Sequence, residues 1–404
     1  MNRELIESGI GYLGKIPKSW NIYRIKNAFK CEKNIVGESW KNTQLLSLTT
    51  SGIKEKDIEN PNGKLPESFD GYQYVRKNNL VMCLFDLDCS AVFSGISKYE
   101  GMISPAYKVL ECNERMNPDF AGYYFNYISF DRKYMHYSKN IRYTLNYEEF
   151  SSLPMLFPSL EEQEKIADYL DKKCKKIDEI IKNNNKEIEF LEQLKENKIY
   201  EMLKEYPKVK IKYVISGIKD GTHGSFSRVA DGEYLLSSKN LTEKGILIGD
   251  NESMISIEDY NSIVSNGYPQ KGDIMFCSVG SVGKTCIYDY EKRYAFQRSV
   301  SFLRVNSLIS NKLLLYNTKT RYFKEEVGSS INKALQDGLY MNQIKDLKIF
   351  LPPLEIQNKL CEKIESYVMN LDKVIEYRKQ IIEKLEEYKR SLIYECVTGK
   401  KEVN

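Results

Sequence analysis

The chain has 404 residues, too many for one ordinary core, which implies two or more domains. Its 42% apolar content, mean hydropathy of −0.50 and net charge of +4 describe a water-soluble protein, and the longest apolar run, "LVMCLF" from Leu80, is far too short for a membrane span. Nine cysteines with no C-x-x-C pair, and only His136 and His223 as imidazoles, argue against a disulfide framework, a zinc site and histidine-based catalysis. The opening stretch lacks the apolar segment of a signal peptide, so the expected location is the cytoplasm, with no membrane partner.

In chain order, residues 1 to 157 read as a first globular part. It opens near Pro17-Lys18-Ser19-Trp20 and continues through short alternating runs such as "TQLLSLTTSGI" and "NNLVMCLFDLD". An aromatic and helical stretch, "PDFAGYYFNYISFDRKYMHY", stands near its end. Residues 158 to 206 then read as one long helix. Residues 207 to 351 form a second globular part, with the alternating runs "GEYLLSSKNLTEKGILIG" and "KGDIMFCSVGS" and a helical "NKLLLYNTKTRYFKEEV". Residues 352 to 404 hold a second long helix and the C-terminus.

The two helices are copies of one another. The 46 residues from Pro158 align without a gap to those from Pro352, 194 positions later, with 15 identities that include Leu160/Leu354, Gln163/Gln357 and Asp178/Asp372. A spacing of 4, 3, 4, 3 picks out Leu170, Cys174, Ile177, Ile181, Asn184, Ile188, Leu191, Lys195, Lys198 and Met202. Its counterpart is Ile364, Val368, Leu371, Ile375, Arg378, Ile382, Leu385, Lys389, Leu392 and Cys396. This is a heptad seam flanked by Lys and Glu, the pattern of helices wound on each other. The polar seam positions Asn184/Arg378 and Lys195/Lys389 cost stability and fix register. Forty helical residues span about 60 Å, so each copy is a rod.

The expected fold is therefore mixed α/β, with two globular domains alternating with two long helices that pair as a coiled coil, in a twofold internal repeat. Charge sorts with this division: the globular parts carry +2 and +5, the rods −3 and 0. A polyanion would bind the globular parts, and the near-neutral rods suit protein contacts.

The stretch "CSVGSVGKT", Cys277 to Thr285, ends like a phosphate-binding P-loop. That loop needs a glycine five residues before Gly283-Lys284, where this chain has Ser278, and a helix after it, where the sequence reads as further strand. A glycine-rich turn between strands is expected instead.

The order globule, "P-x-L-E-x-Q" helix, globule, "P-x-L-E-x-Q" helix resembles the specificity subunit of type I restriction-modification systems over essentially the whole chain. Shorter pieces agree: Pro17-Lys18-Ser19-Trp20, "GMISPAY" from Gly101, "IKDGTH" from Ile218, "LSSKNL" from Leu236, "KGDIMFCSVGSVGKT" from Lys271 and "VTGK" from Val397. The resemblance implies a non-catalytic DNA reader. Each globular domain would be a target-recognition domain for one half of a split sequence in double-stranded DNA. The helices would pair antiparallel, set the gap and dock two methyltransferase subunits, with a restriction subunit as a further family partner. No cofactor is implied for this chain; the methyltransferase would use S-adenosylmethionine.

Absences agree with that reading. The Asn/Asp-Pro-Pro-aromatic tetrapeptide that holds a flipped base is missing, and acidic-x-Lys triplets such as Glu196-Asn197-Lys198 lie in the rods.

The candidate DNA contacts are polar loop residues. In the first globular part they are Thr49, Thr50, Ser51 and Lys54, with Lys139, Asn140, Arg142 and Tyr143. In the second they are Lys219, Thr222, Ser225 and Arg228, then Ser238, Lys239 and Asn240, then Ser281 and Lys284. Helix pairing falls to Leu170, Ile177, Ile181, Ile188 and Leu191 against Ile364, Leu371, Ile375, Ile382 and Leu385. A coiled-coil scaffold without DNA binding, or a nucleotide-binding enzyme using residues 278–285, are the alternative readings. Tyr107 in "GMISPAY" is expected in the core.

Overall fold

The computed structural model describes residues 3–50, 52–58, 66–88, 93–130, 132–138, 143–331 and 338–403. The chain divides into two compact units, Met1–Asn183 with Gln380–Asn404, and Asn184–Lys379. Both cuts fall inside the long helices, Leu160–Leu203 and Leu354–Val397, so each unit holds one globular part and half of each rod.

In the first unit, Phe29–Glu32, Lys108–Cys112, Leu80–Met82 and Ser94–Ile96 lie side by side in an antiparallel sheet. A second sheet runs Gly52–Lys56, Leu45–Thr49, Gly101–Ile103, Gln73–Val75, and its Leu45–Thr49/Gly101–Ile103 pair is parallel. In the second unit, Ile215–Asp220, Val300–Val305, Ile274–Cys277 and Thr285–Ile287 repeat the first arrangement. Glu233–Leu236 with Ala295–Phe296 repeats the parallel pair. The register repeats as well: Leu110 faces Leu80, and Leu303 faces Ile274, in equivalent rungs. The duplication seen in the helices thus extends to the main sheet and the parallel pair, while the rest of the second sheet differs, with four strands in the first unit and three in the second.

Each globular part shares its core with its rod segments. Leu80, Leu110, Phe120, Tyr124 and Phe150 form one apolar cluster with Leu170, Ile177, Leu392 and Cys396. Phe276, Leu303, Leu313 and Phe350 form another with Ile199, Leu203, Cys361 and Ile364. Burying a Leu, Ile or Phe side chain stabilises by about 1.5–3 kcal/mol, so each rod end is anchored by its apolar stripe.

The glutamine of "P-x-L-E-x-Q" supplies the joint. Gln163 is fully buried; its amide oxygen accepts from the Asn117 N–H (2.8 Å), and its NH₂ donates to the carbonyls of Arg115 (2.9 Å) and Pro158 (3.1 Å). Gln357 repeats this with the Ser310 N–H (3.0 Å) and the carbonyls of Leu308 (2.9 Å) and Pro352 (3.1 Å). Asn117 and Ser310 each precede a helix, Pro118–Phe130 and Asn311–Thr318, so the motif ties the start of a rod to the start of a domain helix.

The seam residues face inward. Leu170, Ile177, Ile364 and Ile375 are buried, and Ile181, Ile188, Leu191, Leu371, Ile382 and Leu385 half-buried. Lys389 Nζ reaches Asp178 at 2.6 Å in the first unit, and Lys195 Nζ reaches Asp372 at 2.9 Å in the second. In the second unit Glu187 pairs with Arg378 and Lys195 with Asp372, so position rises on one helix as it falls on the other and the two run antiparallel. Arg378 donates to the Asn184 side-chain oxygen (3.0 Å) and pairs with Glu187 (2.7 Å), which accommodates the polar seam position.

"VTGK" packs on the opening "IPKSW" of the first unit. Gly399 has φ = +70°, and a Cβ there would lie 2.3 Å from Pro17 Cγ, so only glycine fits. Lys400 Nζ donates to the Leu13 carbonyl at 3.1 Å.

Candidate nucleic-acid interface

In the second unit the strand Ile215–Asp220 runs out into "GTH". A Cβ on Gly221 would lie 2.3 Å from the Phe296 carbonyl oxygen and 2.4 Å from that of Gln297. The missing side chain lets two backbone segments touch: Thr222 N–H donates to Phe296 O (2.7 Å) and Arg298 N–H to Thr222 O (2.9 Å). This approach, dictated by the glycine of "IKDGTH", brings residues 222–228 and 297–298 together around an open cleft of about 400 Å³. Thr222, His223, Ser225, Arg228, Gln297 and Arg298 line it.

Below the cleft lies a polar chain. The Ser301 hydroxyl donates to Asp220, Ser278 Oγ meets Ser301 Oγ, and His223 Nε2 stands 4.0 Å from the Asp220 carboxylate. Burial lifts the Asp220 pKa above the usual carboxylate value, while the Ser301 hydroxyl and His223 oppose the rise. These groups hold the strand end; none is placed as a nucleophile against a free imidazole.

The sequence candidates separate here. Thr222, Ser225 and Arg228 share this cleft, whereas Lys219, exposed on its strand, lines an adjoining depression of about 390 Å³ with Thr222 and His223, and a further one with Gly267 and Tyr268. Asn240 is corrected: it is only 2% exposed, accepts from Ser237 N–H (2.9 Å) and donates to the Leu247 carbonyl (3.1 Å) and to Glu252. Its amide is taken up in fastening a turn. Lys239 is exposed but pairs with Glu252 at 2.9 Å. Burial works against the Glu252 carboxylate, yet Lys239, Asn240 and the Ser253 N–H outweigh it and lower its pKa. Ser238 is half-buried, its N–H bonded to Ser299 Oγ (3.1 Å).

Ser281 and Lys284 sit at a second cavity, of about 730 Å³, with Lys319, Lys324 and Glu243. The turn that carries them closes on itself. The N–H groups of Val282, Gly283 and Lys284 donate to the carbonyls of Gly280 (2.9 Å), Cys277 (3.0 Å) and Ser281 (3.1 Å). Those donors are the ones a P-loop turns toward phosphate. The next element is the strand Thr285–Ile287, so a helix N-terminus is missing as well.

In the first unit Thr50 and Lys54 are exposed, and the Thr49 hydroxyl is engaged at the hairpin, donating to Gly52 O at 2.8 Å. Thr49 therefore closes a turn. Tyr143 is 37% exposed with φ = +44°. Ser51, Lys139, Asn140 and Arg142 lie outside the described residues. Tyr107 is half-buried and stacks on Phe85, with ring centroids 6.0 Å apart.

Sequence reasoning missed His223, Gln297 and Arg298 as cleft residues. The signal for His223 was the "GTH" step; Gln297 and Arg298 sat in a run read only as strand, and the close approach at Gly221 is what recruits them. Among the described residues there is no His/Cys/Asp/Glu cluster able to hold a metal ion, and no helix long and apolar enough to cross a membrane.

Two copies of one α/β unit, each rooted in paired helix segments and bearing exposed polar loops, define a tandem recognition protein. Residues 76–190 and 196–387 match the family described as "Type I restriction modification DNA specificity domain". The chain is 23% identical to the type I restriction enzyme MjaVIII specificity subunit of Methanocaldococcus jannaschii, covering 96% of this chain and 94% of that protein. It is 28% identical over 130 residues, 31% of this chain and 32% of the relative, to the putative type I restriction enzyme specificity subunit S.HindORF215P of Haemophilus influenzae. A solved chain from work on the "complex assembly and conformational transition of the type I R-M system" matches with a TM-score of 0.65 at 14% identity, covering 96% of this chain and 99% of that one. The HsdS subunit of Thermoanaerobacter tengcongensis matches with a TM-score of 0.45 at 15% identity, over 98% and 100%. The chain belongs to the type I restriction-modification DNA specificity family.

Proposed function

We propose that this chain is the DNA-reading subunit of a type I restriction-modification complex, each unit taking one half of a bipartite target in double-stranded DNA. The observation that carries the reading is the duplication of the unit's frame: the same four-strand order in the main sheet, the same parallel pair and the same glutamine joint, each with its own loops. A protein that reads one half-site per domain needs that arrangement, because a common frame must present different side chains at two places. The rods set the gap between half-sites and dock methyltransferase subunits, two in number if each copy of the repeat holds one. Those partners supply S-adenosylmethionine chemistry, and a restriction subunit completes the family assembly. The chain itself catalyses nothing and works in the cytoplasm.

A scaffold without DNA binding would leave two basic, loop-rich units without a task. A nucleotide-driven enzyme is disfavoured by the turn at Val282–Lys284, whose N–H groups are already used. The test is to co-express the chain with its methyltransferase and map every modified base. A split motif with a fixed gap, one half of which changes when residues 1–157 are exchanged for another such domain, supports the reading. An assembled complex that leaves DNA unmodified overturns it. Lys284→Ala sharpens the contrast, since it should weaken DNA binding and leave any nucleotide effect at zero.

A further inference from the structure

Six arginines belong to the second unit, and four have partners. Arg304 forms a fork with Asp273 (3.0 and 2.9 Å), Arg321 meets Glu325 (2.7 Å), Arg378 meets Glu187 and Asn184, and Arg293 lies over the Tyr268 ring at 4.3 Å. Arg228 and Arg298 have neither a carboxylate nor a ring among the described residues, both are exposed, and both line the one cleft of about 400 Å³. In a unit whose other arginines already hold an acid or a ring, two open forks in one concavity are a place for an external acceptor.

Their roots differ. Arg298 stands two residues after the end of the strand Ala295–Phe296, whose Phe296 is 2% exposed. Its own N–H is fixed to Thr222 O (2.9 Å), the Gln297 N–H to Leu236 O (2.8 Å), and the Val300 N–H turns back to Gln297 O (3.1 Å). Arg228 comes from the irregular stretch between the strands Ile215–Asp220 and Glu233–Leu236. A base edge must be met to within a fraction of an ångström, which favours a side chain on rigid backbone; a phosphate accepts a cation from many directions.

The geometry points to Arg298 as the base-reading residue of the second unit, its fork taking the two acceptors of a guanine in the major groove, with Arg228 holding a neighbouring phosphate. Gln297, next to it, adds an amide suited to adenine or to a bridging water. The assignment rests on the DNA-reading function proposed above. It names the chemistry of one half-site: at least one G·C pair, read by an arginine that Gly221 makes room for.

The experiment is selection of binding sites from a randomised duplex library by the full chain assembled with its methyltransferase, comparing the parent with Arg298→Ala, Arg298→Lys and Arg228→Ala. The parent should select a bipartite motif with an invariant G·C pair in one half. Arg298→Ala should lower discrimination at that pair by about ten- to hundred-fold and leave the other half unchanged. Arg298→Lys, which keeps the charge and loses the fork, should fail in the same way. Arg228→Ala should weaken all sequences alike and reduce the salt slope of binding by about one. A motif unaltered by Arg298→Ala overturns the assignment. So does full retention of motif and affinity by Arg298→Lys, which would make Arg298 a phosphate contact. A parent complex that selects no motif at all overturns the underlying function instead.

Discussion

The two units share a frame and part company where the frame ends. In the first, the segment after the strand Gly101–Ile103 reads Ser104-Pro105-Ala106-Tyr107; in the second, the residues after Ala295–Phe296 read Gln297-Arg298-Ser299-Val300. The first is closed: Tyr107 stacks on Phe85, and its carbonyl takes the Gln73 amide at 2.9 Å. The second is open, with a guanidinium over a cleft. Strand pairing and burial determine the frame, so duplication preserves it. Loop side chains that touch only solvent are free to diverge, and under the proposed function that freedom lets the two units read different half-sites.

The comparison is broken most severely at the glutamine joint. Truncating Gln163 to Ala leaves the Asn117 N–H and two carbonyls, buried or partly buried, without this partner, each costing about 1–3 kcal/mol where water cannot reach. A loss of about 3 kcal/mol or more is expected, and Gln357→Ala should match it because the three bonds are the same. Urea unfolding of both variants checks this. A marked loss in one and none in the other would show that the equivalence is only topological.

Gly221→Ala comes next. The added Cβ would meet two carbonyl oxygens of the backbone at 2.3 and 2.4 Å, contacts relieved only by parting Thr222 from Phe296 and Gln297. Overpacking of this kind costs about 1–3 kcal/mol. Unlike the glutamine variants, it should also reduce DNA affinity more than the stability loss explains, since it opens the cleft. Denaturant midpoints and binding isotherms measured together separate the two effects.

Much of this was legible in the sequence, for identifiable reasons. The rods announced themselves because a seam repeated every seven residues follows from helical geometry, and the gapless copy at an offset of 194 doubled the signal. Both globular parts read as mixed α/β from alternation and turns. The strand order was not readable, because pairings such as Leu45 with Met102 join residues far apart in sequence. The site was legible in part: "IKDGTH" located one wall of the cleft, but Arg298 lies 77 residues beyond Gly221 and no local pattern links them. Asn240 misled for the opposite reason. Asn in a polar run looks like a surface donor, and only the tertiary fold reveals the Ser237 and Leu247 groups that occupy it.

The smallest effects expected are in the rods, where the two copies contribute equivalent ion pairs in unequal surroundings. Among the described residues Lys389 has Asp178 alone as a close acid, whereas Lys195 reaches both Asp372 (2.9 Å) and Glu192 (2.6 Å). Removing Asp178 therefore leaves a half-buried ammonium without a partner, while removing Asp372 leaves Lys195 its helix neighbour. Exposed and half-exposed pairs contribute about 0.2–1 kcal/mol. Asp178→Asn should fall toward the upper end of that range and Asp372→Asn toward the lower. In about 1 M salt the difference should shrink, because the Debye length drops to roughly 3 Å. Thermal unfolding at low and high salt measures both. If Asp372→Asn proved the costlier, the register of the helices would depend on the contact across the seam more than on the total charge around each lysine.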